Sequence, residues 1–344
     1  MKNVLLLAAM ALLGCRLSDS WVPFDDEERG LSVPELGVLR DASVPFDEGV
    51  TDGAVANDGG TPIDAGGACP RFAAGTVAGR TALAAITEAS GIAASRRNPG
   101  TLWTHNDSGA GPRVYALSNT GATQAIYDLG GASARDWEDL SVGPGPVAGK
   151  SYLYVGDIGD NAESRTSIDV YRVLEPDVST GSASTPTTLS GVERFALSYP
   201  DRAHNAESLL IDPGSGDLYI VAKSGDGVSP VFRAAVPLST TGTTRMELVT
   251  VLRFGVAPLA GNRATTGGDI SPTGEEIAIR TYDAAFLWRR TPGSTIAAAL
   301  ATTPCPIPLQ REPQGEAIGF ASEGSGYYTV SEGSAQPIYF YARH

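Results

Sequence analysis

Glu138, Glu207 and Glu316 each open a short apolar run, and a second polar or charged side chain returns at a repeating distance. Lys223 follows Glu207 by sixteen positions, Glu332 follows Glu316 by sixteen, and Asn106 follows Ser90 by the same sixteen. Asp157 follows Glu138 over a longer interval that contains Gly145–Gly149, and Arg280 follows Gly268 over a shorter one. Carboxylate and amide oxygens, with no thiolate and no clustered imidazole, suit a hard cation such as Ca²⁺. The three histidines, His105, His204 and His344, lie far apart, and no CxxC exists, so a thiolate zinc site is not expected. Glu138, Asp157, Glu316, Glu332 and Asn106 are therefore the expected metal ligands, with Asp107, Asp136, Asp160 and Asn161 deepening the negative side. Lys223, Arg280 and Glu207 are the expected contacts to a small anionic ligand, and Arg263 adds to the positive side. The competing reading is structural: carboxylates at the start of inner strands hold backbone N–H groups of a neighbouring sheet, and Asp157-Ile-Gly-Asp160-Asn161 is an Asx-stabilised loop.

These residues can meet only if the chain is built from repeats. The phrase recurs five times, at Ser90-Gly91-Ile92, Glu138-Asp139-Leu140, Glu207-Ser208-Leu209, Gly268-Asp269-Ile270 and Glu316-Ala317-Ile318. Each copy is followed by a turn and a second strand: LWTHND, LYVGD, LYIVAK, IAIR and YYTVSE. Strand-rich repeats of this length predict an all-β propeller of about five four-stranded blades, six being the alternative. The fifth unit stops one strand short, and the spare strand Phe72–Val77 supplies it, closing the ring and removing exposed edges. Start and end of each inner hairpin then share the rim of the central channel. Ordered by blade, one arc of that rim is expected to be acidic and the opposite arc to carry Lys223 and Arg280. Trp103, Trp137 and Trp288 are expected as wedges between blades.

The chain has 344 residues, 41 Gly, 23 Pro and 19% charged residues, a turn-rich profile with little room for long charged helices. A net charge of −14 argues against a broad basic face for nucleic acid. Residues 1–14 pair a basic start with a short apolar core, which predicts a secretory signal. Leu12-Leu13-Gly14-Cys15 resembles a bacterial lipobox, which implies lipidation of Cys15 and an anchor in the cell envelope, and Arg16 after it implies the outer membrane. Residues 15–68 carry twelve acidic side chains against three basic ones and predict a disordered tether. The folded domain is expected over 69–344, as a monomer. Export favours a disulfide between the remaining cysteines, Cys69 and Cys305.

The phrases SGIAAS, LWTHNDSG, DWEDL, LYVGDIGDN, NAESLLID, GGDISPTGEEIAIRTY and QGEAIGF together resemble exported bacterial β-propellers, over most of residues 88–332. Phytase-like and gluconolactonase-like propellers are the nearest groups with assigned chemistry. The resemblance implies Ca²⁺ at the channel mouth, held by Glu138, Asp157, Glu316 and Asn106. Two functions follow as expectations. One is a binding module for a small anionic ligand or an envelope protein. The other is a calcium-dependent hydrolase of a phosphate ester or lactone. The sequence holds no GxSxG, HExxH or P-loop.

Overall fold

The computed structural model describes residues 69–107, 109–255 and 262–344. The signal segment, Cys15 and the tether lie outside the described residues.

Among the described residues, twenty-two strands form five antiparallel-cored sheets. Strand β1 (Thr76–Arg80) comes first in the chain. Blade one follows with β2 (Ala89–Ala94), β3 (Thr101–Asn106), β4 (Arg113–Ser118) and β5 (Thr123–Leu129). Blade two holds β6 (Trp137–Pro144), β7 (Ser151–Asp157) and β8 (Ile168–Leu174). The chain then gives β9 (Thr187–Leu189) back to the outer edge of blade one, and β10 (Glu193–Ser198) to blade two. Blade three is β11 (Ala206–Ile211), β12 (Leu218–Ala222), β13 (Val228–Ala234) and β15 (Glu247–Arg253); the intervening β14 (Thr243–Arg245) pairs parallel with β10. Blade four is β16 (Thr265–Ile270), β17 (Glu276–Thr281), β18 (Ala285–Arg289) and β19 (Cys305–Ile307). Blade five is β20 (Gly315–Phe320), β21 (Gly326–Ser331) and β22 (Pro337–Ala342), completed by β1.

The ring is closed. Inner strands pack in the cycle β2–β6–β11–β16–β20–β2. All five are buried along their whole length or all but the last residue, so they read as short apolar runs with small residues between. Small residues are required where blades converge. A Cβ on Gly319 of β20 would lie 2.2 Å from the Ile92 carbonyl oxygen of β2. Trp103, Trp137 and Trp288 are buried, and each indole N–H is satisfied: by Glu175, by the Ser133 carbonyl and by the Thr302 carbonyl. Their wedge role follows from that burial.

Five blades and N-terminal closure match expectation. Two details differ. Blades one and two each gain a short fifth strand, β9 and β14, which cover an otherwise open edge in parallel register. The closing strand begins four residues later than Phe72, which instead makes a single bridge to Arg343.

Cys69 is bonded to Cys305 on β19, a link between residues 236 apart in sequence. It fastens the segment leading into β1 to the outer strand of blade four. Cross-linking so long a loop restricts the unfolded chain strongly. Replacing both cysteines by serine is expected to cost about 2–5 kcal/mol, read as a fall in thermal midpoint that reductant reproduces in the native protein.

Candidate functional site

Each inner strand carries an irregularity at its first turn, and this irregularity builds the channel mouth. Antiparallel register between first and second strands skips Ser90-Gly91 in blade one, Glu138 in blade two, Glu207 in blade three, Thr266 in blade four and Glu316 in blade five. A bulge of this kind leaves one residue out of the ladder and re-aims its side chain. Ser90 and Thr266 use the freedom to clasp the next blade, donating to the Glu138 and Gly315 carbonyl oxygens. Glu138, Glu207 and Glu316 sit at the equivalent bulges, and all three are buried. The residues that directly follow the second strands complete the rim: Asp107, Ile158, Lys223, Tyr282 and Glu332.

The rim divides into two neighbourhoods. In the first, ligand atoms of Asp107, Asp136 and Glu138 all lie within 4.8 Å of one another. Asp107 and Asp136 are half-buried and Glu138 is buried. Backbone bonds fix these loops: Asp107 N donates to Glu88 O at 2.9 Å, and Gly159 N donates to Asp136 O at 3.2 Å. Gly159 is also a spatial requirement, since a Cβ there would lie 2.1 Å from Glu138 Oε1. In the second neighbourhood Lys223 Nζ donates to Glu207 Oε1 and, at 2.8 Å, to the Tyr282 hydroxyl. Glu316 interacts electrostatically with Glu207 and Lys223 and with the Tyr282 hydroxyl, and Glu332 interacts electrostatically with Glu316. Gln314 Nε2 donates to Glu332.

Burial and mutual repulsion act together on these acids. Burial, then Asp136, Glu332 and Glu88, push the Asp107 carboxyl up to about 7. Burial and then Glu207 raise Glu316 to about 8, and burial with Glu316 raises Glu332 to about 7. Glu138 stands well above the usual range, from burial first and then Glu207, Asp107 and Asp136. Burial would lower Lys223, but Glu207 and Tyr282 outweigh it and keep the ammonium charged. Two carboxylates at the 4.8 Å limit within which these three lie repel by roughly 3 kcal/mol at an effective dielectric near 20, before solvent screening of the half-buried pair.

A pH dependence follows. Folded-state values raised above unfolded ones mean that the folded mouth keeps protons which the unfolded chain releases. Their stabilisation is complete below about pH 4 and is lost as pH rises through the folded values near 7 and 8. His105 acts in the opposite sense at lower pH. Burial holds its imidazole down to about 4, so stability falls as pH drops from 6.5 towards 4. In chelator, the thermal midpoint is expected to fall between pH 6.5 and 8.5, and Glu316→Gln/Glu332→Gln is expected to flatten that fall. A midpoint that climbs over this range would contradict the assignment.

The other expected site residues are placed as follows. Asp157 lies behind the mouth: it accepts from Arg165 at 2.8 Å and from the backbone N–H groups of Arg135 and Asp136 at 3.1 and 3.3 Å. It thereby positions Asp136. Asn106 accepts from the Thr87 and Glu88 N–H groups and donates to Ala85 O, which fixes the loop before β2. Asp160 accepts from Arg165 N, and its own N–H donates to Asn205 Oδ1, so this stretch is a braced loop. Arg280 is corrected most. It pairs with Gly267, one step inside the rim, and is fully buried against Glu312 at 2.7 Å and the Ala317 carbonyl at 3.1 Å. Blade four is not shorter than the others; its ladder starts at Thr265, paired with Thr281. Arg263 pairs with Asp283 at 3.4 Å. Separate acidic and cationic arcs do not exist, because Lys223 stands among the carboxylates.

Blade-holding carboxylates are present, one position away from the glutamates at one of the expected sites. Asp139 Oδ2 accepts from Leu209 N of blade three at 2.9 Å and Gly268 N of blade four at 3.4 Å. Asp269 Oδ2 accepts from Phe320 N of blade five at 2.8 Å. Both are buried inside the channel and satisfy inter-blade donors there.

No family model and no curated relative matches the sequence. Among solved structures the chain is similar to the β-propeller domain of Cps50 (Swd1) from Myceliophteria thermophila. The two share 12% identity over 78% of this chain and 99% of that one, with a TM-score of 0.39. The propeller architecture itself rests on the strand pairing and the closed cycle of inner strands.

Proposed function

We propose that this propeller is a binding module whose channel mouth takes a Ca²⁺ ion at Asp107, Asp136 and Glu138. The observation that carries the reading is the convergence of three carboxylates within 4.8 Å of one another. All donors are oxygens, two of the three side chains face solvent in part, and their mutual repulsion is relieved by a divalent cation. Ca²⁺ at this position supplies positive charge for an oxygen-bearing ligand, a small anionic molecule or an envelope protein. Binding is preferred to hydrolysis because Lys223, the cation available for an anionic substrate, is engaged by Glu207 and Tyr282. Calorimetric titration of the chelator-treated chain with CaCl₂ tests this reading. One site per chain is expected, and absence of heat at millimolar Ca²⁺ overturns it.

The reading includes display at a bacterial cell envelope through a lipid on Cys15, supported by the basic–apolar leader and the Leu-Leu-Gly-Cys sequence. Metabolic labelling with radioactive palmitate is expected to mark the native chain and to leave Cys15→Ser unlabelled. Equal labelling of both would contradict the anchor.

A further inference from the structure

Six carboxylates line the rim, Asp107, Asp136, Glu138, Glu207, Glu316 and Glu332, and the Lys223 ammonium acts on all of them but Asp136. The group is contributed by all five blades once Tyr282 is included. Lys223 Nζ holds Glu207 on one side and the Tyr282 hydroxyl, 2.8 Å away, on the other. It stands 5.0 Å from the centre of the Tyr282 ring. Its charge also acts on Asp107, Glu138, Glu316 and Glu332. Glu316 is only 3% exposed, and its Oε2 atom has no hydrogen-bond partner. Glu316 also feels the Lys223 charge and the Tyr282 hydroxyl, and a buried carboxylate oxygen without a partner of its own in that setting marks a place that requires positive charge and receives it from within the chain.

We propose that Lys223 Nζ occupies a cation position of the mouth bounded by Glu207, Glu316 and Tyr282, and keeps a divalent ion out of it. Lys223 is then a specificity-determining residue. A tethered monovalent charge neutralises the second neighbourhood without the ligand-exchange sites of a metal ion, and leaves the cluster of Asp107, Asp136 and Glu138 as the place for exchange. Removing the ammonium leaves the carboxylates of Glu207, Glu316 and Glu332 without its charge, and carboxylate oxygens are the donors Ca²⁺ takes. The inference concerns a different set of ligands from the proposed calcium site and stands or falls separately from it.

The test is calcium stoichiometry in the full chain, measured with CaCl₂ alone for native protein, Lys223→Ala and Lys223→Arg. Titrations are followed both by calorimetry and by near-ultraviolet circular dichroism. A variant unfolded in chelator is thus read by the number of equivalents that restores the native spectrum. Lys223→Ala is expected to take one Ca²⁺ per chain more than native, and Lys223→Arg the same number as native. Glu316→Gln placed on Lys223→Ala is expected to remove the added site alone. A count of one for native and one for Lys223→Ala overturns the inference while leaving the first site standing. A count of zero for native and one for Lys223→Ala supports the inference and removes the first site. Zero in both overturns both, and failure of Lys223→Ala to regain the native spectrum at any Ca²⁺ concentration overturns the inference.

Discussion

Glu138→Gln is expected to weaken Ca²⁺ binding by at least the roughly 10–100-fold that loss of a ligand's supporting partner costs, while raising the thermal midpoint in chelator. The two effects have a common cause. Glu138 is 4% exposed and shares its surroundings with Asp107, Asp136 and Glu207, so its charge is costly without a cation and useful with one. Neutralising it removes a repulsion of about 3 kcal/mol per neighbouring pair at a dielectric near 20, part of which is already relieved by protonation. A gain of a few degrees is expected, since roughly 1 kcal/mol moves the midpoint of a domain this size by about 2–4 °C. A residue that merely held blades together would behave in the reverse way. Its loss would lower the midpoint in chelator and leave Ca²⁺ affinity unchanged, as expected here for Asp139→Asn, whose carboxylate accepts from Leu209 and Gly268.

The second large effect belongs to Arg280. Its side chain is 0% exposed and that of its partner Glu312 is 1% exposed, with 2.7 Å between them. Gly315 makes room for the guanidinium: a Cβ there would lie 2.0 Å from Arg280 Nη2. Arg280→Met leaves Glu312 as an uncompensated buried charge, which costs about 3–5 kcal/mol. The midpoint is expected to fall by roughly 6–20 °C on the same scale, with Ca²⁺ affinity unchanged within about twofold. Arg280→Met/Glu312→Leu is expected to recover most of the loss, because replacing both members of a buried pair by apolar groups is often close to neutral. A large loss of Ca²⁺ affinity in folded Arg280→Met would return this residue to the mouth and contradict its placement.

The contrast between these residues shows how far the sequence could be read. Blade number, closure by an N-terminal strand, the tryptophan wedges and the Cys69–Cys305 link were legible, since each depends on repetition or on a few strong signals. The rim was legible to within one residue. Counting sixteen from Ser90, Glu207 and Glu316 aligns Asn106 with Lys223 and Glu332. The ladders instead pair Asn106 with Ala89, Ala222 with Ala206 and Ser331 with Gly315, because blade one skips two residues where blades three and five skip one. One step further along blade one stands Asp107, the true counterpart of Lys223. Blade four misled for another reason. Its Gly268-Asp269-Ile270 resembles the opening phrase, but the ladder begins three residues earlier at Thr265, which takes Arg280 off the rim and puts Tyr282 on it. A bulge is a two-strand property and leaves no periodic trace in either strand alone. Asp107 and Asp136 were legible as part of the acidic side with Glu138, but not as the carboxylates that converge on it, because that depends on Asp157 holding the Asp136 loop from behind.

Anomalous diffraction from crystals soaked in CaCl₂ decides whether a cation binds between Asp107, Asp136 and Glu138. One strong peak is expected within coordination distance of carboxylate oxygens from all three residues, absent from crystals of Glu138→Gln. A mouth without a peak in fully soaked crystals, or a peak held by other residues, would contradict that site.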